Sequence, residues 1–129
     1  MSIAILALVM GGLIQGYIQT NRRAEWSYMS LAAQSSASQA VEQALAAKWF
    51  ARGATIDELP SYQFYTRTNS LVIPTTDQPV IVTNYVQVTN VSPILSVPLR
   101  QIRADCAWQF PRTGIWYSNT VITCRAPTS

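Results

Sequence analysis

The chain has 129 residues, a net charge of +3, only 12% charged residues and no histidine. Its nine basic residues are thinly spread and form no stripe that would neutralise phosphates, so no nucleic acid is expected as a partner. Two cysteines without histidine or clustered carboxylates are too few for a metal centre.

The N-terminal segment is uncharged from Met1 to Asn21 and nearly all apolar from Ile3 to Ile18. Ile3, Ile5, Leu6, Leu8, Val9, Leu13, Ile14, Tyr17 and Ile18 carry this character. About twenty-one helical residues reach about 31 Å, enough to cross a hydrocarbon core. Residues 1–21 are therefore expected to form a helix for a membrane or a filament core, closed by Arg22 and Arg23. Gly11, Gly12 and Gly16 each lower helix propensity by about 1 kcal/mol relative to alanine. They either soften this helix or, through the Gly12-x-x-x-Gly16 spacing, let another helix approach closely.

A cleaved signal peptide would have a basic region before its apolar run and small residues at a cleavage point, so a retained anchor is the better reading. The positive-inside rule, applied to Arg22 and Arg23, would place the C-terminal domain in the cytoplasm. A basic leader preceding Met1 would reverse that orientation.

Residues 22–53 continue the helix. Ala24 to Arg52 has no proline and many alanines, and Gly53 suits a C-cap. Trp26, Met29, Ala33, Ala37, Ala40, Val41, Ala44 and Lys48 recur at steps of three and four, a narrow stripe suited to packing on a sheet or on other helices. Trp49 and Phe50 would anchor the globular part. From Met1 to Arg52 the helix would measure about 78 Å, too long for a small domain to cover.

Residues 54–129 change to short β-type runs punctuated by prolines. Tyr62 to Thr68 is a weak first strand and Val80 to Val91 a clear one. Leu99 to Phe110 places Ile102, Ala104, Cys106, Trp108 and Phe110 on one face, with Arg103, Asp105, Ala107 and Gln109 on the other. Pro111-Arg112-Thr113-Gly114 turns the chain into Ile115 to Arg125. The expected fold is α+β, a long N-terminal helix packed on an antiparallel sheet of three or four strands. In this hairpin register Cys124 falls opposite Gln101 or Ile102, on the order of 13–17 Å along the strand from Cys106. A disulfide between Cys106 and Cys124 would need a longer loop than the turn implies; otherwise both are free thiols.

Tyr62, Phe64, Tyr65, Tyr85, Trp116 and Tyr117 are either half-buried sheet residues or a surface for a sugar or a partner. Asp57-Glu58 is an adjacent acidic pair before Leu59-Pro60, and sequence neighbours do not converge on a substrate. No nucleophile has a histidine base and no glycine-rich phosphate loop occurs, so no catalytic residue, cofactor or small-molecule substrate is expected.

The run MSIAILALVMGGLIQGYIQ, the helix through AVEQALAAKW, and the closing segments IRADCAWQF and NTVITCRAP together resemble the type IV pilin superfamily, in the style of minor pilins and type II secretion pseudopilins. The resemblance implies a structural subunit of a type IV pilus or a type II secretion pseudopilus. Its partners would be copies of itself or other pilin-like subunits, with membrane lipid before assembly. It implies a bacterial inner-membrane helix with a periplasmic domain, or a place in a periplasmic or extracellular filament, and puts Gly11, Gly12 and Gly16 where pilin helices melt on assembly. The family begins with a basic leader ending in glycine and a Phe-Thr-Leu-x-Glu start, whereas here Ile5 stands fifth and the first acidic residue is Glu25. Met1 is therefore expected to lie about six residues inside the family's mature start, and processing, N-methylation and glutamate-guided docking are assigned to no residue here. A monomeric signal-anchored envelope protein whose sheet binds a ligand or a protein is the alternative, and a membrane-tethered enzyme a third.

Overall fold

A computed structural model describes residues 2–47, 64–71, 79–91 and 99–127. The expected helix contacts of Lys48, Trp49 and Phe50, the Gly53 cap, Asp57-Glu58 and Tyr62 lie outside these residues. The fold is α+β: helix α1 (Ser2–Ala46) packs on four antiparallel strands, β1 (Phe64–Leu71), β2 (Val80–Asn90), β3 (Arg100–Gln109) and β4 (Trp116–Arg125), in the order β1-β2-β3-β4.

α1 is continuous through all three of its glycines and spans about 67 Å. Only its second half meets the sheet. Met29, Ala33, Ser36, Ala37 and Val41 are its buried residues, spaced so that they share one face. Four of them lie on or beside the expected stripe; Ser36 was hidden in a run of small residues that reads equally well as solvated. The described helix closes at Ala46, six residues before the expected Arg52. There the Ala44 carbonyl accepts from the Ala47 N–H at 3.3 Å, and Arg125 Nη1 donates to the carbonyls of both Ala44 and Ala47, supplying a donor at the helix end.

Alternation builds the sheet's inner face. Val80, Val82, Asn84, Val86 and Val88 of β2 and Ile102, Ala104, Cys106 and Trp108 of β3 are buried, while their neighbours along each strand are more exposed. The faces expected of β3 are those observed. β1 extends three residues past the expected Thr68 because Leu71, opposite Val80, adds an apolar anchor at its end. β3 and β4 pair from Arg100↔Arg125 to Gln109↔Trp116 around the turn Pro111–Gly114. Phe110 closes that turn, its N–H donating to Ile115 O at 2.9 Å and its carbonyl accepting from Gly114 N–H at 2.8 Å. Gly114 has φ of 69°, the left-handed conformation that glycine adopts without a Cβ penalty.

β4 runs alongside the second half of α1. Trp26 meets Tyr117, Asn119 donates to Ser30 and Gln34, and Arg125 reaches Ala44 and Ala47. The strand advances about 26 Å between Tyr117 and Arg125, and the helix advances about 27–32 Å between Trp26 and the Ala44–Ala47 carbonyls. The two are thus nearly aligned, and the β3–β4 turn marks the end of the sheet where the uncovered half of the helix departs. Arg112 in that turn pairs with Glu25, fixing the point of departure.

Candidate functional surface

The chain's most unusual surface is the first half of α1. Residues 2–24 are exposed throughout, and they include ten large apolar side chains: Ile3, Ile5, Leu6, Leu8, Val9, Met10, Leu13, Ile14, Tyr17 and Ile18. Burying a side chain of this size is worth about 1.5–3 kcal/mol, so covering all ten would release on the order of 15–30 kcal/mol. A domain's whole stability is typically about 5–15 kcal/mol. A surface with that much unrealised stabilisation is large for a chain of this size. This one helix is long and apolar enough to cross a membrane, with none of its apolar window buried by the chain itself.

Gly11, Gly12 and Gly16 lie in this segment, and a Cβ added to any of them would meet nothing within 4 Å. No packing among the described residues therefore calls for glycine there. The Gly16 carbonyl accepts a 2.8 Å hydrogen bond from the exposed Thr20 Oγ1, a backbone contact that any residue at this position would make. The Gly12–Gly16 face is open to an approaching helix.

No protein-family model, curated protein or solved structure matches the chain. The chemistry of its surfaces has to be read from the residues themselves.

Behind the exposed helix, the domain is joined to α1 by aromatic and amide contacts. Trp108 stacks on Tyr117 with centroids 5.0 Å apart, and Trp26 meets both rings, at 6.2 Å and 5.7 Å. Farther along, Asn84 Nδ2 donates to Ser36 Oγ at 2.8 Å in the interior. Oδ1 of the same amide is buried and unpartnered. These two residues border an open groove of about 1010 Å³ between α1 and β1–β2, whose other polar lining includes Gln39, Gln43, Arg67 and Asn69. Arg67 Nη1 donates across it to Gln43 Oε1 at 3.3 Å.

The two cysteines are free. Cys106 is buried and Cys124 exposed. Cys124 pairs with Gln101 and Cys106 with Asn119, so the thiols stand five residues apart along the hairpin, about 17 Å, far beyond disulfide reach. The possible Cys106–Cys124 bridge is thus corrected by the register of the tight turn. Burial pushes the Cys106 thiol above its ordinary pKa, partly offset by its hydrogen bond with Ser36.

The candidate aromatic surface divides. Tyr85 and Trp116 are exposed on the sheet's outer face, whereas Tyr117 is half-buried against α1. Tyr62 and the side chains of Phe64 and Tyr65 lie outside the described residues. Among the described residues, no three His, Cys, Asp or Glu side chains gather as metal ligands.

Proposed function

We propose that this chain is a pilin-like structural subunit, held in a bacterial inner membrane by the first half of α1 and then assembled through that same surface into a type IV pilus or type II secretion filament. The observation that carries the reading is the helix's division of labour. Its second half is committed to the sheet, while its first half presents ten large apolar side chains that nothing among the described residues covers. In a bilayer, lipid tails cover them; in a filament, neighbouring helices do. The open space around Gly11, Gly12 and Gly16 supports close helix approach in the second environment.

The partners in this reading are copies of the chain or similar subunits, with the sheet domain held in the periplasm or on the filament surface. The role is mechanical, with no catalytic step, cofactor or small-molecule substrate. The genomic frame upstream of Met1 offers a direct test. A basic leader followed by a Gly-Phe-Thr-Leu-x-Glu start supports the proposal, and in-frame stops immediately upstream would sink it. A monomeric anchor whose sheet binds a partner is favoured by one specific feature, the exposed Tyr85 and Trp116 on the outer face. Electron microscopy of cells with and without the gene separates the two, since the monomeric anchor leaves filaments unaffected.

A further inference from the structure

We infer that the β3–β4 turn end of the sheet is a second membrane contact, a foot that rests among the headgroups of an anionic bilayer beside the emerging helix. This rests on α1 crossing a bilayer and does not depend on filament assembly.

The level of the turn along the helix is the first argument. Arg22 and Arg23 close the uncharged segment and mark the headgroup region of a spanning helix. Glu25, which Arg112 engages, lies only about 3–5 Å farther along the axis. Because β4 runs alongside α1, the turn end faces back toward the membrane and the rest of the sheet extends away from it.

The residues gathered there have the chemistry of an interface. Ile115 and Trp116, 52% and 65% exposed, follow the turn directly. Ile81, 62% exposed, precedes the Val82↔Trp108 pair by one residue and so lies level with Gln109 and, across β3, with Trp116. Among the described residues, the other exposed large apolar side chains of the sheet and its margin, Tyr85, Val91 and Ile122, are spread singly along it, as on any protein surface. Tryptophan partitions to the bilayer–water boundary, where its ring is half-solvated.

Charge complements this. Among the described residues, Arg22, Arg23 and Arg112 are exposed around the contact, against one carboxylate, Glu25, that is mostly covered and already engaged by Arg112. A cationic rim around an apolar, tryptophan-bearing centre fits anionic lipid headgroups.

The test uses the full chain in nanodiscs of phosphatidylcholine and phosphatidylglycerol, with Cys124→Ser removing the exposed thiol. Spin labels are attached at Thr113→Cys in the turn, at Ile122→Cys about 20 Å farther along the sheet, and at Leu8→Cys in the span. Collision with oxygen and with a water-soluble nickel complex reports the depth of each label. The expected result is Leu8 in hydrocarbon, Thr113 at headgroup depth and Ile122 in water. Combining Ile115→Ser and Trp116→Ser, both exposed and so compatible with the fold, then moves the Thr113 label into water while Leu8 stays deep. If Thr113 is as aqueous as Ile122 while Leu8 is deep, the foot is overturned and the span stands. If the serine pair leaves Thr113 at the same depth, contact through these side chains is overturned. If Leu8 itself is aqueous, the span and the foot fall together.

Discussion

Trp108 Nε1 donates a 2.9 Å hydrogen bond to Asn119 Oδ1, and Asn119 Nδ2 donates onward to Ser30 Oγ at 3.2 Å. A fully buried indole is thereby satisfied by the neighbouring strand, and the same amide ties that strand to the helix. Asn119→Ala leaves the Trp108 N–H without its acceptor and should cost about 1–3 kcal/mol. Trp108→Ala should cost more, about 3–5 kcal/mol, by leaving a cavity under Trp26, Tyr117 and Phe110. Urea titration of the full chain in detergent, followed by near-ultraviolet circular dichroism, ranks the two; an unchanged midpoint for Asn119→Ala would refute the bridging role.

The Asn84–Ser36 pair calls for a different experiment because it is already incompletely satisfied. Ser36→Ala strands the remaining end of a buried amide and should destabilise by about 1–3 kcal/mol. Combining Ser36→Ala with Asn84→Val removes both polar groups and should recover most of that loss. Additive losses in the double variant would show that the pair contributes more than it costs to bury.

Thiol chemistry follows from burial. A water-soluble maleimide should modify Cys124 in the native chain and Cys106 only after denaturation. Because the folded pKa of Cys106 is raised by desolvation, the unfolded chain ionises first as pH rises. The Cys106 contribution is intact below the ordinary thiol pKa of about 8.5 and declines as pH climbs from there through the folded value. Cys106→Ala should flatten that alkaline decline in stability; an unchanged slope would contradict the assignment.

The parts of this fold that were legible in the sequence are those where one local pattern decides the outcome. The alternation in β3 separates its two faces, and Pro111–Gly114 sets the β3–β4 register, which in turn decides against the disulfide. Ser36, Asn84 and Asn119 were not legible. Their roles come from pairings across 48 and 89 residues, and nothing local distinguishes Ser36 from its solvated neighbours. The Glu25–Arg112 contact, which sets the level at which the helix leaves the sheet, is equally nonlocal. The exposed helix could be read as apolar from sequence alone, but only the packing of α1 along β4 leaves its first half without cover.

Within that first half, insertion and association should separate. Leu8→Arg places a charge mid-segment, costing about 3 kcal/mol of insertion, and should shift the chain out of carbonate-washed membranes. Gly12→Leu, with open space around the substituted position, should leave insertion intact and weaken association between copies. Equal recovery of wild-type and Gly12→Leu oligomers after cross-linking would show that the glycine face is not a contact.

The most direct measurement replaces Leu13, exposed in the apolar half of α1, with a photocrosslinking amino acid in cells producing the chain. A filament subunit should give a ladder of adducts between copies or similar subunits, recovered in the sheared filament fraction. Adducts confined to lipid, with the chain remaining monomeric under conditions where filaments form, would contradict assembly through this helix.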